Sequence, residues 1–218
     1  MDKNFAAFVT SLKTALSKPL PGQKAQFKMA PYERILKNLT KKFIWKKPKE
    51  SAVLCLFYPK NGEPHFALIL RNTYKGVHSA QVSFPGGKVE EFDNSLKDTA
   101  LRETEEEIGV NKSDIEILGK LTEVFIPPSG FQVQPFVGFI NAAPNFTPNP
   151  DEVSKIIGVP LSILMDESIV GKKKITVSVT KLKINYPYFD ILGETVWGAT
   201  AMMLSELKEL IKREGLSF

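Results

Sequence analysis

Cysteine and histidine are nearly absent from this chain of 218 residues, which has one cysteine and two histidines. A single cysteine excludes an intrachain disulfide, and the apolar residues around Cys55 indicate a buried core thiol. No spacing links His65 or His78 to a zinc site. The sequence therefore indicates neither a disulfide scaffold nor a zinc-binding domain.

Long apolar runs are also missing. No run approaches the roughly 18 residues that a membrane-spanning helix needs. Thr10, Ser11 and Lys13 interrupt the apolar residues near the start, so this segment lacks the apolar core of a signal peptide. With 43% hydrophobic and 24% charged residues, the chain can bury a large core. We therefore expect a cytoplasmic protein without a membrane partner.

Positive charge is concentrated in the first 50 residues. This segment has 12 Lys and Arg against 3 Asp and Glu, a net charge of +9, whereas the remainder has 17 against 21, a net charge of −4. Lysines on both sides of Trp45 can bind nucleic acid, but a solvated lysine-rich face around an anchoring tryptophan also explains them. We favour the solvated face, so nucleic acid is not an expected partner. Attraction of a polyanionic substrate or an acidic subunit is a third explanation.

The chain divides near residue 50. Apolar residues at helical spacing predict an amphipathic helix over 2–17, which Pro19 and Pro21 end. A second short helix is predicted near 32–40. We therefore expect a basic helical extension over 1–50 and a main domain over 51–218. The apolar face of the first helix would cover the core of this domain or form the seam of a homodimer.

The main domain alternates predicted strands and helices. Asn61-Gly62 predicts a tight hairpin between strands at 51–58 and 65–71. The later strands are predicted near 115–125, 132–141, 152–160, 174–179 and 183–189, with helices at 161–166 and 198–213. This pattern predicts an α/β domain.

The most informative segment is a glycine pair followed by a glutamate-rich helix. Ser95 is a predicted N-cap and Gly109 a predicted C-terminal stop, which gives a helix of about 13 residues. Glu103, Glu106 and Glu107 stand at i, i+3 and i+4, so their carboxylates share one face. Like charges at this spacing destabilise a helix. Something should therefore offset their repulsion.

Bound Mg²⁺ or Mn²⁺ would offset it, because these ions prefer oxygen ligands and bind phosphates beside carboxylates. The alternative is a solvated acidic face. Gly86 and Gly87 before the helix favour the metal, since glycine lets the backbone approach a ligand or helix closely. Arg102 also favours it, and we expect Arg102 to pair with a glutamate and fix its rotamer.

These residues resemble the Nudix box, the signature of hydrolases that cleave a nucleoside diphosphate linked to another group. The matching positions are Gly87, Asp93, Arg102-Glu103, Glu106-Glu107 and Gly109-Val110. Asp93 replaces the usual first glutamate, one extra residue precedes Arg102, and Thr104 takes an apolar position. The resemblance implies an α/β/α sandwich with a mixed β-sheet, and a metal held by the three glutamates.

Further segments resemble the coenzyme A diphosphatase branch. They are Leu68-Ile69-Leu70-Arg71, Gln81-Val82-Ser83-Phe84-Pro85-Gly86-Gly87, Pro128-Ser129-Gly130-Phe131, Asn149-Pro150-Asp151-Glu152-Val153 and Trp197-Gly198 with Thr200-Ala201. This implies cleavage of coenzyme A to 3′,5′-ADP and 4′-phosphopantetheine. Leu70, Asn72, Gly76 and Ala80 depart from the branch motif. The departures at Gly76 and Ala80 favour a second possibility, a Nudix enzyme acting on ADP-ribose, NADH or dinucleoside polyphosphates. A Nudix-fold nucleotide-binding, RNA-binding or regulatory module is the alternative from another class.

The resemblance also implies roles for single residues. Arg102 and Glu106 would act in catalysis with a general base, for which Glu152 is the first choice and Glu123 the second. An ordinary surface carboxylate is the alternative for each of the two. The expected substrate contacts are Arg71, Lys75 in place of the missing arginine, Gln81, Gly86, Gly87, Ser129 and Phe131.

Overall fold

The computed structural model describes residues 3–31, 47–72, 81–176 and 183–218. The predicted helix at 32–40, Trp45 and the lysines at 41, 42 and 46 lie outside these ranges. The helices are α1 (Lys3–Leu16), α2 (Gly22–Gln26), α3 (Leu96–Ile108), α4 (Leu161–Met165) and α5 (Gly198–Glu214). The strands are β1 (Lys49–Lys60), β2 (Glu63–Arg71), β3 (Val82–Ser83), β4 (Gly86–Lys88), β5 (Glu116–Lys120), β6 (Val124–Ile126), β7 (Phe131–Phe139), β8 (Val153–Pro160), β9 (Val170–Thr176), β10 (Lys183–Ile191) and β11 (Glu194–Trp197).

Eight strands form a mixed sheet. Its main path is β3-β2-β1-β7-β5, with β4 paired to β1, β6 to β7 and β8 to β2. Strands β1 and β7 run parallel from Lys49 opposite Phe131 to Phe57 opposite Phe139, and the other pairs are antiparallel. Strands β9, β10 and β11 form a separate antiparallel sheet. The mixed sheet confirms this part of the predicted fold class.

The hairpin between β1 and β2 is also confirmed. Asn61 and Gly62 both have positive φ, 52° and 80°. Two successive left-handed residues give the turn whose twist matches the flanking strands. Both strands extend to this turn and pair from Lys60 opposite Glu63.

Helices cover both faces of the large sheet. On one face, Ala100 and Ile108 of α3 pack against Leu54 and Leu56 of β1. Helices α1, α4 and α5 pack on the other face. This arrangement confirms the predicted α/β/α sandwich.

The apolar side of α1 is buried within the chain. The ring of Phe8 lies 5.3 Å from that of Phe57, and the ring of Phe5 lies 6.2 Å from that of Phe139. Of the two roles expected for this helix, the structure shows that it covers the core. A homodimer would need a different surface.

A buried carboxylate ties the N-terminal segment to the sandwich. Glu206 of α5 is fully buried. It accepts hydrogen bonds from Gly22 N (3.0 Å), Gln26 Nε2 (2.8 Å) and Thr122 Oγ1 (2.6 Å). The Thr122 amide donates to the same carboxylate, which explains why the single strand expected at 115–125 is divided into β5 and β6.

Among the described residues, no helix combines the length and the hydropathy that a membrane-spanning segment needs.

Candidate active site

Helix α3 begins and ends where the sequence predicts. Ser95 is extended, and its hydroxyl accepts a hydrogen bond from the Asp98 amide (3.2 Å). Gly109 has a φ of 71°, and its amide donates to the carbonyl of Glu105 (2.9 Å). These caps fix the register of the three glutamates on the helix.

Glu107 points into the protein and is fully buried. It continues the buried side of α3 that includes Ala100 and Thr104, spaced at helical intervals. Arg71 Nη1 lies 2.8 Å from one carboxylate oxygen, and the Gly86 amide donates to the other (2.8 Å). Burial raises the pKa of Glu107 to about 7, although Arg71 opposes this shift.

Arg102 lies between the other two glutamates. Its Nη1 is 2.9 Å from an oxygen of Glu103 and 2.9 Å from an oxygen of Glu106. The Glu103 side chain is nearly buried, whereas that of Glu106 is half exposed. Burial raises the pKa of Glu103, and Arg102 opposes this shift. The expected pairing of Arg102 with a glutamate is therefore present in the structure, with two partners.

Asp93 anchors the other side of the same guanidinium. Its two oxygens each lie 2.9 Å from Arg102, one from Nε and one from Nη2. Thr99 Oγ1 also donates to Asp93 (2.8 Å). The hydrogen bonds from Arg102 hold the pKa of Asp93 well below its usual range. No contact was predicted for Asp93, although its place in the box was the available signal.

The glycine pair permits two close approaches. A Cβ on Gly87 would lie 2.4 Å from Cδ and from Oε1 of Glu103. Gly86 has a φ of 149°, and a Cβ there would lie 2.4 Å from the Ala52 carbonyl oxygen of β1. The glycines therefore let β4 fit between β1 and the glutamates of α3.

Glu152 lies at the site, next to Arg71. One of its oxygens is 3.8 Å from Arg71 Nη2, and the side chain is 44% exposed. Burial is the main cause of the raised pKa values of Glu103 and Glu107, and the negative charge of Glu152 adds to it. Glu123 instead accepts a hydrogen bond from Gln132 of β7 (2.8 Å).

The remaining predicted substrate residues are spread over several elements. The Gln81 carbonyl accepts a hydrogen bond from the Arg71 amide (3.1 Å), which places Gln81 beside the site. Ser129 and Phe131 lie where β6 turns into β7. Ser129 Oγ donates to the Ile126 carbonyl (3.5 Å), and Lys49 Nζ lies 5.8 Å from the centre of the Phe131 ring. Lys75 lies outside the described residues.

The side chains present fit a hard divalent cation. Glu103, Glu106, Glu107 and Glu152 supply oxygen donors of the type that Mg²⁺ and Mn²⁺ prefer. Two of these carboxylates already converge on one positive group, Arg102 Nη1. Among the described residues no three acidic, His or Cys side chains form a ready metal cluster. One oxygen of each α3 glutamate instead contacts an arginine: Arg102 pairs with Glu103 and Glu106, and Arg71 pairs with Glu107.

A family model described as "NUDIX domain" matches residues 48–174. The "Uncharacterized Nudix hydrolase NudL" of Pectobacterium atrosepticum is 33% identical over 150 residues, which cover 66% of this chain and 73% of that protein. "Nudix hydrolase 15, mitochondrial" of Arabidopsis thaliana is 35% identical over 165 residues, covering 72% and 57%.

Solved structures share the fold. A MutT/nudix family protein from Enterococcus faecalis has a TM-score of 0.50 and 18% identity, and the match covers 87% of this chain and 73% of that one. The Nudix hydrolase RenU from M. smegmatis has a TM-score of 0.53 and 13% identity, with coverage of 76% and 87%. At these identities the likeness concerns the fold alone.

Proposed function

Because this chain belongs to the Nudix family, with a family model that spans more than half of it, we propose that it is a divalent metal-dependent diphosphatase with coenzyme A or a derivative as its preferred substrate. The products would be 3′,5′-ADP and 4′-phosphopantetheine. One observation carries the metal-dependent reaction: Glu103 and Glu106 converge on a single positive group, 2.9 Å from each, and Glu107 of the same helix is buried. The segments that resemble the coenzyme A diphosphatase branch support the choice of substrate.

The three glutamates of α3 would hold Mg²⁺ or Mn²⁺. When bound, the ion neutralises the charge of a diphosphate and lowers the pKa of bound water. Arg102 is anchored through Asp93 and contacts one oxygen of Glu103 and one of Glu106, so it would keep both carboxylates oriented for an ion. A carboxylate with a fixed partner loses less conformational freedom on binding.

Arg71 is the substrate contact that the geometry favours most. Its Nη1 donates to Glu107, while its Nη2 lies 3.8 Å from Glu152, too far for a hydrogen bond. The side chain is 21% exposed. We infer that Nη2 donates to a phosphate oxygen of the substrate. Arginine suits this role because its planar donors match phosphate oxygens.

Glu152 is the proposed general base. Its carboxylate is exposed enough to meet water and close enough to influence Glu103 and Glu107. It would take the proton of the attacking water while that water's oxygen bonds to phosphorus and the bridging oxygen leaves. Glu123, which Gln132 holds, remains the second choice.

The alternatives differ in substrate and class. The departures at Gly76 and Ala80, outside the described residues, favour a Nudix enzyme acting on ADP-ribose, NADH or dinucleoside polyphosphates. A binding module with a basic N-terminal region would have no need of the clustered glutamates. We expect a cytoplasmic enzyme, and sedimentation of the full chain tests for a homodimer.

Product analysis tests the substrate. Coenzyme A, ADP-ribose, NADH and diadenosine tetraphosphate are offered in parallel with Mg²⁺ or Mn²⁺. Preferential release of 3′,5′-ADP from coenzyme A supports the proposal. Faster cleavage of another compound would show that the substrate is wrong and the reaction right. A folded protein that cleaves none of them would support the binding module.

A further inference from the structure

The most exposed of the large apolar side chains in the described ranges lies beside the candidate active site. Phe92 is 70% exposed, more than Leu192 (53%), Val170 (45%) or Phe218 (41%). It belongs to the loop between β4 and α3 and directly precedes Asp93, the anchor of Arg102. An exposed aromatic ring at a binding site has a surface that a ligand can cover.

One face of the Phe92 ring contacts the site itself. The central carbon of the Arg102 guanidinium lies 5.3 Å from the ring centre, within the range of a cation–π contact. Nη1 of the same guanidinium lies 2.9 Å from Glu103 and from Glu106. Phe92 is therefore separated from the proposed metal-binding carboxylates by a single side chain.

The other face of the ring is available to a ligand. A planar ring has two faces, and an exposure of 70% requires that most of the surface not turned to Arg102 meets water. A nucleoside diphosphate has a flat base one sugar away from its phosphates. If the phosphates lie beside Glu103 and Glu106, the base is within reach of the neighbouring ring. Stacking needs only a flat π-surface, which every base has.

We propose that Phe92 is the stacking platform for the nucleobase of the substrate, a substrate-binding residue for the hydrolysis described above. The inference rests on the proposed function, because only a nucleoside diphosphate brings a base to this position. Arg102, Phe92 and the base would form three layers, with the cation on one side of the ring and the base on the other.

Binding measurements with the full chain test the platform. Calorimetric titration in the presence of Mg²⁺ uses ADP as the ligand with a base and inorganic diphosphate as the ligand without one. Phe92→Ala and Phe92→Leu should weaken ADP binding about tenfold, as expected for the loss of one stacked base. Phe92→Tyr should bind ADP like wild type. Diphosphate affinity should be the same in all four proteins.

A matched control is Leu192→Ala, which removes an exposed apolar side chain from the turn between β10 and β11 and should change neither affinity. Melting temperatures show whether each variant is folded. Steady-state kinetics give a second readout, since Phe92→Ala should raise KM for the nucleotide substrate about tenfold with little change in kcat.

Several results would overturn the proposal that Phe92 stacks on the nucleobase. Unchanged ADP affinity in Phe92→Ala excludes stacking, and recovery of affinity in Phe92→Leu shows that any apolar cover of Arg102 suffices. An equal loss for inorganic diphosphate shows that Phe92 acts only through the arginine. Weakened binding of 4′-phosphopantetheine alone assigns the ring to the other half of coenzyme A. Failure of wild type to cleave any diphosphate contradicts the proposed function instead.

Discussion

Replacement of Asp93 by asparagine should destabilise the protein and slow its reaction together. Asp93 and Arg102 share two contacts of 2.9 Å, with side chains only 2% and 13% exposed. Asparagine keeps the shape and one acceptor oxygen but loses the charge. The charged partners of Arg102 would then be Glu103 and Glu106, the residues that it should orient.

The magnitude follows from burial. Removing one member of a buried ion pair costs about 3–5 kcal/mol. Arg102 keeps two carboxylate partners, so we expect a loss nearer about 2 kcal/mol in the free energy of unfolding, the scale of a hydrogen bond to a charged group. We expect kcat to fall about 10- to 100-fold, as when a group that orients metal ligands is lost.

The loss should depend on pH. Arg102 holds the pKa of folded Asp93 below the unfolded value, which is about 3.9. The stabilisation is therefore complete above the unfolded pKa and is lost as the pH falls through the folded pKa. The difference in unfolding free energy between wild type and Asp93→Asn should be full at neutral pH and shrink below about pH 4.

Urea unfolding of wild type and Asp93→Asn, from neutral pH down to the acid range, measures this difference. Asp114→Asn is the control, because it makes the same charge change at an exposed position after α3. An Asp93→Asn loss no larger than that of Asp114→Asn, or one independent of pH, would refute the assignment of the stability to the ion pair.

Three further substitutions probe separate parts of the structure. Glu152→Gln should lower kcat at least about a hundredfold, while Glu123→Gln stays near wild type in the same assay; the reverse order would make Glu123 the base. Gly87→Ala should displace the Glu103 carboxylate, since a Cβ would lie 2.4 Å from its Cδ. Metal affinity measured by calorimetry should therefore fall, with little change in melting temperature. Unchanged affinity would show that the loop adjusts. Glu206→Gln should lower the free energy of unfolding in urea by about 2–4 kcal/mol, because a buried acceptor of several hydrogen bonds becomes partly a donor. A loss below about 1 kcal/mol would contradict the role of Glu206 in holding the N-terminal segment to the sandwich.

The sequence predicted those features that depend only on a few neighbouring residues. The bounds of α3 follow from a serine cap and a glycine in the left-handed region, both visible in the sequence. The hairpin at Asn61-Gly62 follows from two residues that accept positive φ. Each of these signals acts over a few residues, and neither needs the rest of the fold.

The spacing of residues in the sequence did not predict the contacts between distant segments. Arg71 and Glu107 are 36 residues apart in the chain and meet only because β2 ends beside α3. Glu206 and Thr122 are 84 residues apart, and their hydrogen bonds interrupt a predicted strand. The burial of Glu107 had a sequence signal, since it falls on the buried side of α3. A charged side chain favours the surface, but Arg71 on β2 supplies the partner that a buried carboxylate needs.

The most direct test of the proposed metal site is a measurement of kcat with Mg²⁺ for wild type, Glu106→Gln and Glu105→Gln. The substrate is the one that product analysis identifies. Glu105 is the matched control, because it is the adjacent helix residue and contacts Lys112 rather than the site. We predict at least about a hundredfold loss in Glu106→Gln with an unchanged melting temperature, since losing a metal ligand should cost no less than losing its support. Glu105→Gln should keep the wild-type rate. Near-normal turnover in Glu106→Gln, or an equal loss in Glu105→Gln, would contradict a metal site on this face of α3.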